Sequence, residues 1–153
     1  MTDIQIGQVP MASIVVNTNW ERVLKEYTEE SSIKGMPPIN PDYKSYMAAE
    51  HYGTMKFFGA FYEGQLVGIL TMFVVSVPHY STKIATVESI FVLEEFRKGG
   101  LGIKMLKVAQ EAAKFFGATG LFISAPLDGK LAKVLEKKKD FTETNRVFFQ
   151  RLQ

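Results

Sequence analysis

Glycines at positions 99, 100 and 102 follow directly on Arg97 and Lys98, between an apolar run that ends near Val92 and an amphipathic run that opens at Ile103. Glycine lets backbone amides approach an anion with no Cβ in the way. A helix that begins there adds unpaired N–H donors and a partial positive charge. The chemistry such a bend supports is the holding of a phosphate or diphosphate, with two cations beside it. Its spacing excludes two well-known phosphate loops. A Walker loop needs Lys and then Ser or Thr straight after its last glycine, whereas Gly102 is followed by Ile103, Lys104 and Met105. A dinucleotide fingerprint runs Gly-x-Gly-x-x-Gly, but Arg97, Gly100 and Gly102 make Arg-x-x-Gly-x-Gly. On glycine content alone, a ligand-free strand–helix turn is an equal alternative.

The bend must be positioned by what flanks it. Upstream, residues 57–62 and 65–77 lie on either side of Glu63-Gly64 and read as a hairpin. The second arm is apolar on both faces, as a central strand covered on two sides would be. A third strand is expected over 85–93, after the break at Pro78-His79-Tyr80. Downstream, Ile103, Leu106, Ala109, Ala113 and Phe116 recur at three- and four-residue spacing, with Lys104, Lys107, Glu111 and Lys114 opposite, which predicts a helix closed by Gly117. Further strands are expected at 121–125 and around 147–152, where Phe148 and Phe149 would pack, with a helix at 129–138 between them.

The N-terminal third reads as helical. Residues 17–19 offer caps for a helix over 20–30. Gly35-Met36-Pro37-Pro38 breaks it, and a second helix is expected with Asn40 as cap, Pro41 at its first position and Gly53 as its stop. At helical spacing Trp20, Tyr27, Tyr43 and Tyr46 read as core residues; the alternative is that they line an acceptor pocket. The whole predicts a single domain over 1–153 of mixed α/β class, with helices on the faces of a mixed sheet.

Composition narrows the rest. A chain of 153 residues can bury a core without covalent aid. It holds no cysteine, so disulfides, thiolate metal sites and a cysteine nucleophile are excluded. Only His51 and His79 could supply imidazole ligands, so no metal is expected. A net charge of +2 does not argue for nucleic acid. No apolar run reaches membrane-spanning length, since the longest, 66–77, contains Thr71 and Ser76. The first residues lack a basic stretch followed by an apolar one, so a cytoplasmic protein is expected.

The run Val92-Leu93-Glu94-Glu95-Phe96-Arg97-Lys98-Gly99-Gly100-Leu101-Gly102 closely resembles the signature of the GNAT superfamily of N-acetyltransferases, and the order of elements agrees from Phe57 onward. The chain is also similar to the short acetyltransferases of tailed phages and prophages. The resemblance implies a mostly antiparallel sheet with one splayed strand pair, and acetyl-CoA as co-substrate. Cofactor contacts would then come from Arg97, Lys98, Gly99, Gly100, Leu101, Gly102, Ile103 and Lys104 around the diphosphate. Phe91, Val92 and Leu93 would lie along the pantetheine arm, with Ser124 on the opposite lip of the gap.

Direct acyl transfer needs a neutral amine, a stabilised oxyanion and a departing thiolate. Relatives place a carboxylate on the strand before the loop, and Glu88 stands there; strand alternation puts it on the face of Ile90 and Val92, and an apolar setting would raise its pKa. His79 is the alternative base. The backbone N–H of Val92 is the implied oxyanion donor. The tyrosine that many relatives use as acid is replaced, because Glu136 occupies its position and Asp140 that of the usual glycine. Tyr80 could substitute. Lys137, Lys138 and Lys139 read as a solvated helix end.

Two functions are therefore expected: an acetyl-CoA-dependent N-acetyltransferase acting on a primary amine of a small molecule or protein, as a monomer or homodimer; or a CoA-binding regulatory protein of the same fold without turnover. The altered segment at Glu136 favours the second and the retained Glu88 the first, and thiol release after acetyl-CoA binding separates them.

Overall fold

Glu63 and Gly64 both adopt positive φ, 49° and 78°, the geometry of a type I′ turn, whose twist suits the strands it joins. In the computed structural model, which describes residues 3–153, that turn links β2 (Met55–Tyr62) to β3 (Gln65–Val77). Strand β4 (Thr82–Val92) returns antiparallel to β3, and β5 (Ala118–Ile123) lies parallel to β4. With β1 (Gln5–Gln8) against β2, the sheet order is β1-β2-β3-β4-β5. The expected mixed, mostly antiparallel sheet is present.

Strand β1 stands in a region read as helical. Its signal is the alternation of half-buried Ile4 and Ile6 with exposed Gln5 and Gln8, a period of two over a stretch too short to stand out. Strand β5 starts at Ala118, three residues before the expected start, because Lys83 of β4 pairs with Ala118.

Helix α4 (Leu101–Phe115) crosses one face of the sheet and buries Leu101, Met105, Leu106, Ala109 and Ala113. It approaches closely because β3 offers a glycine: a Cβ at Gly68 would lie 2.9 Å from Met105 Sδ. Full burial of Leu66, Leu70 and Leu106 contributes about 1.5–3 kcal/mol each.

The opposite face carries α1 (Met11–Val15), α2 (Trp20–Ser31) and α3 (Tyr43–His51). Tyr27 of α2 packs edge-on against Phe91, and Tyr46 of α3 against Phe57. The asparagines before α2 do something other than cap it. Asn17 Oδ1 accepts from the Leu66 N–H at 3.1 Å, and Asn19 Nδ2 donates to Leu66 O at 2.7 Å, tying the start of α2 to β3. Helix α3 is capped by Asp42, two residues beyond the expected Asn40; its carboxylate accepts from the Ser45 N–H at 3.2 Å and hydroxyl at 2.6 Å. Gly53, at φ 77°, ends the helix as expected.

Helix α5 (Lys130–Glu136) falls within the expected 129–138. The expected strand at 147–152 is not formed: no strand partner runs beside it among the described residues, and a strand exists only through its ladder. Phe148 is 88% exposed, and Phe149 only reaches the loop at Gly35. They pack no final strand.

Candidate active site

The backbone turns from β4 into α4 through Leu93, a 3-10 turn (Glu94–Phe96) and the glycines. Gly99 and Gly100 take φ values of 91° and 75°, which disfavour any side chain. Gly100 is the N-cap of α4 and offers no side chain to its first amides. The first bond closing the helix is Lys104 N–H to Gly100 O at 3.0 Å, so the amides of Leu101, Gly102 and Ile103 precede the intrahelical ladder. A Cβ built on Gly99, Gly100 or Gly102 meets no protein atom within 4 Å. Open space, free donors and the helix dipole together make a cradle that fits a diphosphate.

Arg97 acts differently from a simple phosphate cation. Its Nε donates to Val92 O at 2.8 Å, its Nη2 pairs with Glu30 of α2, and its guanidinium lies 5.3 Å from the Phe91 ring centroid. The side chain closes the bend against the strand it leaves. Lys98 and Lys104 are exposed and make no ion pair among the described residues.

Strands β4 and β5 part at a definite point. Their last paired residues are Val87 and Ile123, yet β4 continues to Val92. Ser124, exposed, follows where β5 ends. Leu93 N–H donates to Val67 O at 2.9 Å, which fixes the phase of the ladder with β3. Phe91, two residues back and opposite Ile69, faces β3 in the same way. The N–H groups of Ile90 and Val92 therefore turn to the open side. Two main-chain donors thus border the gap that runs up to the glycine bend.

Glu88 sits at a bulge. Thr71 pairs with Ser89 and Met72 with Val87, so Glu88 is the extra residue of β4. The bulge breaks the alternation on which its orientation was counted. Glu88 and Ser89 both reach Thr71 Oγ1, at 2.9 and 2.6 Å. Glu88 thus shares the face of Ser89, away from that of Ile90 and Val92. It is exposed rather than enclosed. What surrounds it is a set of donors: Tyr46 Oη lies 3.0 and 3.1 Å from the two carboxylate oxygens, and Thr71 donates to one of them.

This carboxylate lines a cavity of about 370 Å³ under α1, α2 and α3. Trp20, Tyr27, Tyr43 and Tyr46 form its wall, with Phe57, Ile69 and Thr71 of the sheet as floor. Reading those four aromatics as core was incomplete: they pack on the core but present a face to the cavity. Their helical spacing fits either role. The distinguishing signal is chemical, because the fully buried position of α2 is Val23 while the cavity positions carry rings with polar tips. Burial raises the Tyr46 phenol well above its ordinary range, with the charge of Glu88 and their hydrogen bond adding to it. Tyr27 is raised by burial and then by Glu88. Both phenols stay protonated at neutral pH, and that of Tyr46 donates to Glu88.

His79 and Tyr80 are not part of this constellation. They stand at the tip of the β3–β4 hairpin, next to each other with ring centroids 4.7 Å apart. Residues 82–87 of β4 separate that tip from Glu88, about 20 Å of strand. Neither reaches a group at Glu88 or at the gap. Glu136 ends α5, exposed, and brings no phenol to the gap.

Known proteins resemble this chain in sequence and in fold. The chain is 30% identical over 69 residues to an aminoglycoside N(6')-acetyltransferase type 1 of Acinetobacter baumannii, across 45% of this chain and 47% of that protein. It thus spans about half the length of the curated relatives it matches. Among solved structures, an aminoglycoside acetyltransferase from an uncultured soil metagenomic sample, in complex with sisomicin, superposes with a TM-score of 0.76 at 18% identity, over 98% of this chain and 97% of that one. A ribosomal-protein-alanine N-acetyltransferase from Brucella melitensis biovar Abortus 2308 gives a TM-score of 0.73 at 17% identity, over 97% and 99%. These likenesses show the fold. The profile of the acetyltransferase (GNAT) family matches residues 18–133, most of the chain and both the cavity wall and the glycine bend, and the chain belongs to that family.

Proposed function

We propose that this protein transfers an acetyl group from acetyl-CoA directly to a primary amine. The observation that carries the reading is a juxtaposition. A carboxylate displaced by a bulge onto the wall of an aromatic cavity stands two and four residues from Ile90 and Val92, whose amides border a gap ending at a diphosphate-sized cradle.

Acetyl-CoA supplies an activated thioester. The amides of residues 99–103 hold its diphosphate, with the side chains of Lys98 and Lys104 adding charge. The open-side main chain of Ile90 and Val92 offers partners to the pantetheine arm, while Phe91 and Leu93 turn theirs to β3, and Ser124 faces the arm from the end of β5. Glu88 accepts a proton from the incoming ammonium, directly or through one water, leaving the nitrogen lone pair free. The Val92 N–H meets the carbonyl oxygen as charge develops on it. The new C–N bond forms as the C–S bond breaks, the electron pair leaves on sulfur, and the second proton of the acylated nitrogen passes to that thiolate or to solvent. A thiol's ordinary pKa of about 8.5 lets a thiolate depart without a strong acid, which suits a chain with Glu136 where relatives carry a phenol. Use of intracellular acetyl-CoA favours a cytoplasmic location.

The same Glu136 favours a second reading, a CoA-binding protein without turnover. Thiol release decides between them. Acetyl-CoA is titrated calorimetrically, and free thiol is then followed with a panel of primary amines. Binding with amine-dependent release is the expected result. Binding without release on every amine would give the second reading its support.

A further inference from the structure

The cavity beside Glu88 has a chemistry narrower than "amine". Two carboxylates line it, Glu88 and Asp42, and no Lys, Arg or His does. Asp42 is engaged: it caps α3 and accepts from the backbone and hydroxyl of Ser45. Trp20 Nε1 is engaged too, donating to Tyr43 Oη at 3.1 Å. Glu88 also accepts, from Tyr46 and Thr71, but it is the carboxylate that stands on β4 beside the open amides of Ile90 and Val92. Asn40, Ser45, Thr71 and Ser89 are the cavity's other polar residues; the rest of the lining, the larger part, is apolar or aromatic, including Met11, Ile14, Leu24, Ile39 and Phe57.

We infer that the acceptor is a primary amine with a single cationic head on an apolar or aromatic body. The head meets Glu88, and the body lies among Trp20, Tyr27, Tyr43 and Tyr46. Aromatic faces favour a cation entering between them. Apolar lining favours a body without hydroxyls, since each buried hydroxyl left without a partner is penalised. A polyhydroxylated or multiply charged amine would bring several polar groups to a mostly apolar cavity whose two carboxylates already accept from protein donors. Deeper charges would go unpaired. This inference rests on the acetyltransferase reading for its consequence in catalysis, but its test does not need turnover.

Trp20 is the chain's single tryptophan and lies in the cavity wall, so its fluorescence reads occupancy without acetyl-CoA. Wild-type protein is titrated with phenethylamine, with neutral 2-phenylethanol, with spermidine and with sisomicin. Phenethylamine is expected to change Trp20 emission saturably, at least tenfold tighter than each of the other three. Glu88→Gln is expected to weaken phenethylamine at least tenfold and leave 2-phenylethanol unchanged. Tighter binding of sisomicin or spermidine overturns the inference, as does equal binding of the neutral alcohol. Calorimetry with acetyl-CoA on the same preparation keeps the two claims apart. Acetyl-CoA bound with no response to phenethylamine sinks the acceptor class alone, whereas failure to bind acetyl-CoA sinks the acetyltransferase reading.

Discussion

The hydroxyl of Tyr46 lies 3.0 Å from one oxygen of Glu88 and 3.1 Å from the other, and so ties helix α3 to the bulge of β4. The carboxylate is thereby aimed by a residue 42 positions away in sequence. Tyr46→Phe removes that donor and keeps the ring against Phe57. A hydrogen bond to a charged group is worth about 1.5–3 kcal/mol, so the turnover number should fall about tenfold or more. The Michaelis constant for acetyl-CoA should not move, since Tyr46 is remote from the glycine bend. Steady-state thiol release gives both numbers.

The same phenol gives a pH dependence. Burial and Glu88 raise the acid constants of Tyr46 and Tyr27 in the folded state. For a group whose folded value is raised, the associated stability is complete below the unfolded value, about 10 for tyrosine, and is lost as pH rises through the folded one. Stability should be level with respect to these groups up to about pH 9 and decline above about pH 10. The decline should be shallower in Tyr46→Phe. Urea midpoints between pH 8 and 11.5 check the sign; an equal decline in both proteins would rule Tyr46 out as its source.

Glu88→Gln keeps the shape and removes the base. General-base catalysis contributes about 10²–10⁴-fold, so thiol release should fall by at least 10²-fold while acetyl-CoA binds as before. Because Glu88 is exposed and its donors Tyr46 and Thr71 can meet the amide oxygen, the unfolding midpoint should hardly change.

Gly102 separates fold from function by sign. Its φ lies outside the left-handed region, and a Cβ there meets nothing within 4 Å. Alanine is the better helix former by up to about 1 kcal/mol. Gly102→Ala should therefore leave stability equal or raised, yet weaken acetyl-CoA about tenfold by placing a methyl in the cradle. Denaturant unfolding beside calorimetry shows whether the two effects oppose.

Gly68 is the packing counterpart. A Cβ there would lie 2.9 Å from Met105 Sδ and 3.3 Å from the Phe91 carbonyl oxygen. The thioether can swing aside, but the β4 backbone must also yield. Overpacking of this kind costs about 1–3 kcal/mol, and Gly68→Ala should lose that amount in urea unfolding.

These positions differ in how far they could be read from sequence. The glycine bend and α4 are local: a 3.6-residue apolar period and three glycines in four positions specify them within one stretch of chain. The hairpin at Glu63-Gly64 is local as well. The bulge at Glu88 is not, because it exists only in the pairing of β4 with β3, and counting along one strand misses the extra residue. Asp42 replaces Asn40 as cap because Ser45, three residues on, supplies two donors. The aromatics of α2 and α3 show helical spacing, but whether they face core or cavity depends on how far α1 and α3 stand off the sheet. The strand expected at 147–152 has apolar residues and lacks a partner. Long-range pairing, in each case, decides what local pattern leaves open.

The most direct measurement is the backbone amide spectrum of ¹⁵N-labelled protein during titration with acetyl-CoA. The account predicts that the amides of residues 99–103, together with those of Ile90 and Val92, shift saturably with ligand. Shifts confined to other regions, with these amides unmoved, would contradict it.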